Sequence, residues 1–161
     1  MSDPGESPFP GVPPRLRFLH PSRDLPLYFV TACVFKRRAL LATDVVHGAF
    51  AEYARTGAEQ HGIAVGRYVI MPDHLHLFIR CPPPRSLGVW MRGLKRVMEL
   101  AIPVAVRDRV WQPGFFDHVL RTSESYGQKW EYVRSNPVRA GLVARAEDWP
   151  LQGEVVLIDR F

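Results

Sequence analysis

The sequence has few cysteines, few lysines and no long hydrophobic run. Its 161 residues include only Cys33 and Cys81, which are too few for a disulfide framework and lack the spacing of a metal site. No apolar run is long enough to span a bilayer, and the N-terminus lacks the apolar core of a signal peptide. We therefore expect a soluble intracellular protein, with one domain and both cysteines buried as small hydrophobic residues.

The basic residues are almost all arginines. Only three of the 21 basic residues are lysines, and the formal net charge is +5. Arginine binds phosphate groups through two parallel hydrogen bonds, so this bias is compatible with a nucleic-acid partner. A GC-rich genome would produce the same bias without any function, and charge alone does not decide between the two explanations.

Proline is concentrated at the N-terminus, where residues 1–26 contain seven of the 15 prolines. Such a composition predicts a flexible or extended leader rather than part of a packed core. Its Arg15, Arg17 and Arg23 are candidates for contact with a nucleic acid. The ordered domain is expected to span 27–161.

From residue 27 onward, the hydrophobic pattern alternates between the periods of strands and helices. The predicted order is β-α-β-β-α-β followed by a helix, with a tight turn at Pro72-Asp73. This is the split βαβ, ferredoxin-like order, an α+β fold whose antiparallel sheet has its helices on one face. The other face would be free for a ligand or a nucleic acid. The predicted strands are 27–35, 63–71, 74–80, 115–121 and 154–158; the predicted helices are 44–60, 87–101 and 123–136, begun by Thr43 or Asp44, Ser86, and Thr122 or Ser123.

The stretch YVIMPDHLHLFIR, residues 68–80, places two histidines two residues apart in a predicted strand. Residues i and i+2 of a strand share a face, so His74 and His76 should project side by side, away from the core. Burying an unpaired imidazole is costly. Either both rings are satisfied by local hydrogen bonds, or both point at a ligand, and a pair of imidazoles suits a metal ion.

The last predicted helix carries two further candidates, Tyr132 and Asn136, one turn apart on the same helical face. The amide oxygen of Asn136 could complete a metal site, and the phenol oxygen of Tyr132 could serve as a nucleophile. Taken alone, Tyr132 also fits a half-buried core tyrosine, and Asn136-Pro137 also fits an ordinary turn.

Several blocks of the sequence, in their order and spacing, resemble the REP-associated tyrosine transposases. These are domesticated relatives of the IS200-type Y1 transposases in the HUH endonuclease superfamily. The resemblance covers 28–150 and rests on YFVT, MPDHLHLFI, LK, WQPGFFDHVLR, YVRSNPVRAGLV and DWP. It implies that His74 and His76 are the HUH pair, that Tyr132 is the catalytic tyrosine, and that Asn136 completes a site for Mg²⁺ or Mn²⁺. Imidazole ligands favour Mn²⁺ of the two.

The resemblance implies a single-stranded DNA endonuclease and strand transferase, acting as a monomer or a homodimer. It would nick DNA beside a REP-like hairpin through a 5′-phosphotyrosine. Two alternatives stay open: a non-catalytic nucleic-acid-binding relative, and a metal-dependent phosphodiester hydrolase that uses water. Adjacent strand residues face opposite ways, so Asp117 and His118 are not expected to act as a pair. The candidate DNA contacts, from these blocks, basic charge and aromatic stacking, are Arg37, Arg38, Lys95, Arg96, Trp111, Phe116, Asp117, His118, Arg121, Arg134 and Arg139.

Overall fold

The computed structural model describes residues 25–121 and 123–158, with the side chains of residues 123 and 124 left out. Residues 1–24 of the predicted leader, with its three arginines, and the cap candidate Thr122 lie outside the described residues. Within them, no helix is long and apolar enough to cross a membrane. The elements are β1 (Leu27–Cys33), α1 (Asp44–His61), β2 (Ala64–Ile70), β3 (His74–Arg80), α2 (Leu87–Leu100), β4 (Phe116–Leu120), α3 (Ser123–Arg134), α4 (Asn136–Arg139) and β5 (Gln152–Glu154).

The five strands form one antiparallel sheet in the order β4-β1-β3-β2-β5. The first four strands have the predicted split βαβ order, which confirms the fold class. The last strand was predicted at 154–158 and lies at Gln152–Glu154 instead. Val156 still donates a backbone hydrogen bond to Val65 of β2 (2.8 Å), so the segment continues along the sheet edge.

Local capping sets the ends of the two connecting helices where the sequence predicts them. The hydroxyl of Thr43 accepts a hydrogen bond from the Val46 amide, and that of Ser86 accepts one from the Val89 amide, both at 3.2 Å. Gly62 ends α1 with φ of 65°, a left-handed conformation that glycine adopts without strain. These ends fix the lengths of the two crossovers, in which α1 joins β1 to β2 and α2 joins β3 to β4.

The two faces of the sheet are covered by different helices. On one face, the ring of Tyr68 packs on Phe50 of α1 with centroids 4.4 Å apart, and α2 packs beside α1. On the other face, Phe78 meets Tyr126 of α3 edge-on at 4.7 Å. The expectation of helices on one face therefore holds for α1 and α2 but not for α3. Phe78 is fully buried and needs apolar cover on its own side of β3, and α3 supplies that cover.

Close packing of α1 on α2 leads to a test of stability at Gly93. A methyl group at this position would lie 2.9 Å from Cζ of Tyr53 and closer still to its hydroxyl, whereas nothing lies within 4 Å of a methyl group at Gly88. We expect Gly93→Ala to lower the free energy of unfolding by about 1–3 kcal/mol through overpacking. Gly88→Ala, in the same helix, should raise it by about 0.5 kcal/mol. Urea unfolding measures both, and equal effects would contradict this packing.

A buried histidine in α1 leads to an expected pH dependence of stability. His47 is buried, its Nε2 lies 2.8 Å from the hydroxyl of Tyr68, and burial lowers its pKa from the ordinary 6.5. Below about pH 6.5 the unfolded chain gains a proton that the folded chain does not accept until lower pH. The free energy of unfolding should therefore fall as pH drops from 6.5 toward 5, and less so in His47→Gln. Exposed His61→Gln is the control, and an unchanged slope in His47→Gln would contradict the expectation.

Candidate active site

The two imidazoles of β3 lie side by side on the face that α3 crosses. Antiparallel pairing sets Thr31 opposite His76 and Cys33 opposite His74, so all four share this face. The two imidazole centroids are 4.7 Å apart, with the rings nearly perpendicular. His76 also stacks on Phe29 of β1, with centroids 5.3 Å apart and planes 17° apart. The predicted pairing of the histidines on one strand face is present, and β1 supports it.

Each imidazole is held through its Nδ1 atom. Nδ1 of His74 lies 2.7 Å from Oδ1 of Asp73, and Nδ1 of His76 lies 2.8 Å from Oγ1 of Thr31. A carboxylate accepts only, so Nδ1 of His74 donates to it. Arg37 in turn holds Asp73, with Nε 2.9 Å from Oδ2. The Thr31 hydroxyl can accept a hydrogen bond in the same way from Nδ1 of His76. In the tautomer with the proton on Nδ1, each Nε2 presents a lone pair, which is the form that binds a metal ion.

Both imidazoles are neutral at physiological pH. Burial lowers the pKa of His74, although the hydrogen bond and charge of Asp73 oppose this. Burial is also the main cause that lowers the pKa of His76 to about 3, with smaller contributions from neighbouring His74 and from the charges of Arg37, Lys129 and Arg139. Among the described residues, no three His, Cys, Asp or Glu side chains come together in a way that could hold a metal ion. A third protein ligand for the imidazole pair would therefore have to be of another type, such as an amide.

The phenol of Tyr132 is accessible, with 64% of the residue exposed. The guanidinium of Arg139 lies over its ring, with Cζ 4.2 Å from the centroid, and Nη2 donates to the Tyr132 carbonyl at 2.8 Å. The same Nη2 also donates to Oδ1 of Asn136. Asn136 begins α4, because the helix is interrupted at Ser135 just before Pro137, which has no N–H to donate. Arg139 thus ties the two predicted site residues of this segment together.

A surface pocket of about 280 Å³ connects Tyr132 with the imidazole side of the sheet. Lys129 lines this pocket, and its Nζ lies 5.2 Å from the ring centroid of Phe29, which stacks on His76. The phenol, the pocket and the imidazole pair therefore lie on one face. The pocket is lined by His118, Leu120, Ser125, Gln128, Lys129 and Tyr132.

Some of the predicted DNA contacts are exposed on this same face. Phe116 is 69% exposed and pairs with Thr31 across β4 and β1, and His118 pairs with Phe29. Both therefore remain candidates for contact with a base. Arg121, at the end of β4, is exposed as well. Asp117 pairs with Val30 and faces the opposite side, as expected of a strand neighbour of His118.

Three other candidates have structural roles instead. Arg38 donates to the carbonyls of residues 106, 108 and 109, and Lys95 donates to those of residues 112 and 114. Trp111 is only 9% exposed, and its indole N–H donates to the Lys95 carbonyl at 3.0 Å. It packs in the core, so its ring is not available as the predicted stacking platform. The cations of Arg38 and Lys95 brace the loop before β4, because main-chain carbonyls occupy their donors.

The remaining arginines differ in their surroundings. Arg96 lies on α2, beside α1 and across the sheet from the imidazoles, and it pairs with Glu99 at 3.6 Å. Arg134 pairs with Glu131 at 3.4 Å and lies 3.9 Å from a carboxylate oxygen of Glu147. The structure therefore does not bring these two arginines to the imidazole pair. Arg37 and Arg139 do reach the candidate site residues.

Four residues of this site were not singled out from the sequence: Phe29, Thr31, Asp73 and Lys129. Asp73 adjoins the first histidine, and that position was the available signal, although Pro72-Asp73 indicated only a turn. Thr31 and Phe29 contact His76 through strand pairing between residues 45 or more positions apart. Lys129 comes one helical turn before Tyr132, a spacing that becomes informative only once α3 is placed on the sheet.

Comparison with known proteins gives four further findings. A family model described as IS200-like transposase matches residues 26–136. This segment contains the predicted site residues His74, His76, Tyr132 and Asn136. The chain is 26% identical to a Haemophilus influenzae protein named as a REP-associated tyrosine transposase, over 77% of each chain. It is 28% identical to the REP-associated tyrosine transposase of Escherichia coli, over 53% of this chain and 51% of the relative. A solved structure of a REP-associated tyrosine transposase bound to a REP hairpin shares its fold, with a TM-score of 0.65, 22% identity and coverage of 84% and 82%.

Proposed function

The chain belongs to the IS200-like transposase family, and from that premise we propose that it nicks single-stranded DNA beside a hairpin and transfers the cut strand. Tyr132 is the proposed nucleophile, and His74, His76 and Asn136 the proposed metal ligands. The observation that carries the proposal is that the phenol and the imidazoles lie on the same face of the sheet. The exposed phenol of Tyr132 is on α3, and α3 crosses the face on which the two neutral imidazoles can present Nε2 to a ligand.

The donor set fits a divalent ion such as Mg²⁺ or Mn²⁺. Each imidazole has a hydrogen-bond partner at Nδ1, as metal-binding histidines commonly have. Because both imidazoles are already neutral, an ion can bind without displacing a proton from them. The Asn136 amide supplies an oxygen donor, which suits these ions. When bound, the ion would polarise the scissile phosphate and neutralise charge that develops in the transition state.

The residues of α3 would carry out the covalent step. The phenol oxygen of Tyr132 attacks the phosphorus in line, which forms a phosphotyrosine ester and releases a 3′-oxygen. The phenol loses its proton and the departing oxygen gains one. One phosphate ester replaces another, so no external energy source is needed, and a second 3′-hydroxyl can reverse the exchange to join strands. Lys129, in the pocket beside Tyr132, can hold the phosphate in position.

The proposed substrate is single-stranded DNA that carries a hairpin. A REP-associated tyrosine transposase that shares this fold has been solved with a REP hairpin, and this chain itself belongs to the IS200-like transposase family. The exposed Phe116 and His118 offer rings on which unpaired bases could stack, and Arg121 offers a charge for the backbone. Relatives from bacteria support action on the bacterial chromosome.

The test is incubation with hairpin single-stranded DNA and Mn²⁺, followed by a denaturing gel. With the label at the 3′ end of the strand, we expect a covalent protein–DNA band; with the label at the 5′ end, a shorter free fragment. This polarity follows from a 5′-phosphotyrosine. Cleavage without a covalent band would favour the metal-dependent hydrolase, and hairpin binding that is indifferent to EDTA without cleavage would favour the non-catalytic binder.

Support of His76 by Thr31 leads to a test of the metal site that does not depend on cleavage. Thr31→Val keeps the side-chain shape but removes the oxygen 2.8 Å from Nδ1 of His76. We expect Mn²⁺ affinity, measured by electron paramagnetic resonance of the free ion, to fall by about 10–100-fold. Thr56→Val in α1 is the control. An unchanged affinity in Thr31→Val would mean that this hydroxyl does not orient a metal ligand.

A further inference from the structure

Arg139 contacts both residues that α3 and α4 contribute to the proposed site. Its guanidinium covers the ring of Tyr132, with Cζ 4.2 Å from the centroid. Its Nη2 donates to the Tyr132 carbonyl at 2.8 Å and to Oδ1 of Asn136. The oxygen that would bind a metal ion is therefore already engaged by a cation in the free chain.

Among the side chains that the structure describes, no carboxylate forms an ion pair with Arg139, whereas Arg37 is paired with Asp73. Lys129 is a second cation near the imidazole pair, with its Nζ 5.2 Å from the ring centroid of Phe29, which stacks on His76. The positive charge near the proposed site is therefore not confined to Arg139.

The proposed metal ligands carry no compensating negative charge. Two neutral imidazoles and one amide would hold the ion, whereas sites for Mg²⁺ and Mn²⁺ usually include carboxylates. A divalent ion that enters alone meets nearby cations in a partly buried site, which is unfavourable. A phosphate group of DNA would bring the missing negative charge, and Arg139 has the forked donor geometry that phosphate oxygens accept.

We propose that Arg139 couples DNA binding to metal binding, an inference that rests on the proposed function. In the free chain, Arg139 holds the amide oxygen of Asn136 and opposes entry of the ion. A DNA phosphate draws the guanidinium away, so that Oδ1 becomes available and the local charge is neutralised. Metal and DNA then bind cooperatively, and by linkage each raises the affinity for the other by the same factor.

The experiment measures Mn²⁺ affinity of the full chain by electron paramagnetic resonance, with and without hairpin single-stranded DNA. Mn²⁺ bound by the DNA itself is subtracted with His76→Ala. In the wild type, DNA should raise the affinity about tenfold. In Arg139→Gln, the affinity without DNA should already be about tenfold higher, and DNA should add less than about twofold. Arg145→Gln, which removes an exposed arginine paired with Asp148, should behave as the wild type.

The inference and the proposed function fail in different ways. If Arg139→Gln binds Mn²⁺ as the wild type does, with and without DNA, Arg139 does not couple the two ligands, although the site itself stands. If His74→Ala and His76→Ala both bind Mn²⁺ as tightly as the wild type does, the metal site of the proposed function is wrong, and the inference about Arg139 falls with it. Melting curves establish that each variant is folded, and Arg139→Met replaces the glutamine variant if that one is not.

Discussion

Replacing Tyr132 by phenylalanine is expected to abolish the covalent protein–DNA band and to lower cleavage on the order of a thousandfold or more. The change removes the only atom proposed to attack phosphorus. Because the residue is largely exposed, the loss of its hydroxyl should leave the fold intact. The ring remains under the guanidinium of Arg139, so hairpin binding should stay within about twofold of the wild type.

Tyr28→Phe is the matched control for this experiment. Tyr28 lies on β1 opposite Ile79 and so faces the other side of the sheet from His76. Its variant should form the covalent band at the wild-type rate. If Tyr132→Phe still forms the covalent band, another residue is the nucleophile. If the variant loses both the band and hairpin binding, the cleavage defect does not identify the phenol as the nucleophile.

Removing one imidazole of the pair is the second change with a large expected effect. His76→Ala should lower Mn²⁺ affinity by at least about a hundredfold and should remove metal-stimulated cleavage, because two protein ligands cannot replace three. Addition of EDTA to the wild type should have the same effect on cleavage, and excess Mn²⁺ should restore it. Hairpin binding of His76→Ala, measured by gel shift in EDTA, should match that of the wild type in EDTA, because the exposed arginines and rings that would contact DNA are unchanged.

His61→Ala serves as the control for the imidazole, since His61 is exposed at the end of α1. Melting curves are also needed, because His76 stacks on Phe29 and its loss removes packing. Full cleavage by a folded His76→Ala variant in Mn²⁺ would contradict the proposed metal site, and so would cleavage by the wild type in excess EDTA.

The fold was largely predictable from local signals. Alternation along β3 predicted that His74 and His76 share a face, and the Thr43 and Ser86 caps predicted where two helices begin. The sequence blocks indicated the family, which the match over residues 26–136 confirms. The position of α3 was not predictable in the same way, because a hydrophobic stripe says that a helix is covered but not which face of a sheet covers it.

The partners of individual side chains were the least predictable part of the site. Strand register, which the chain pattern does not encode locally, sets Thr31 beside His76. The sequence suggested that Lys95 and Arg38 are free to contact DNA, but main-chain carbonyls accept their hydrogen bonds in the structure. Every residue type has a main-chain carbonyl, so the sequence carries no signal for such contacts. Arg139 was predicted to contact DNA through its charge, whereas its contacts to Tyr132 and Asn136 depend on the break at Ser135.

The most direct test of the central claim is a crystal structure of Tyr132→Phe with Mn²⁺ and hairpin single-stranded DNA, with the ion located by anomalous scattering. We expect one ion bound by Nε2 of His74, Nε2 of His76 and Oδ1 of Asn136, with a DNA phosphate between the ion and the ring of residue 132. An ion elsewhere, or a phosphate path that leaves residue 132 facing away from the two imidazoles, would contradict the account.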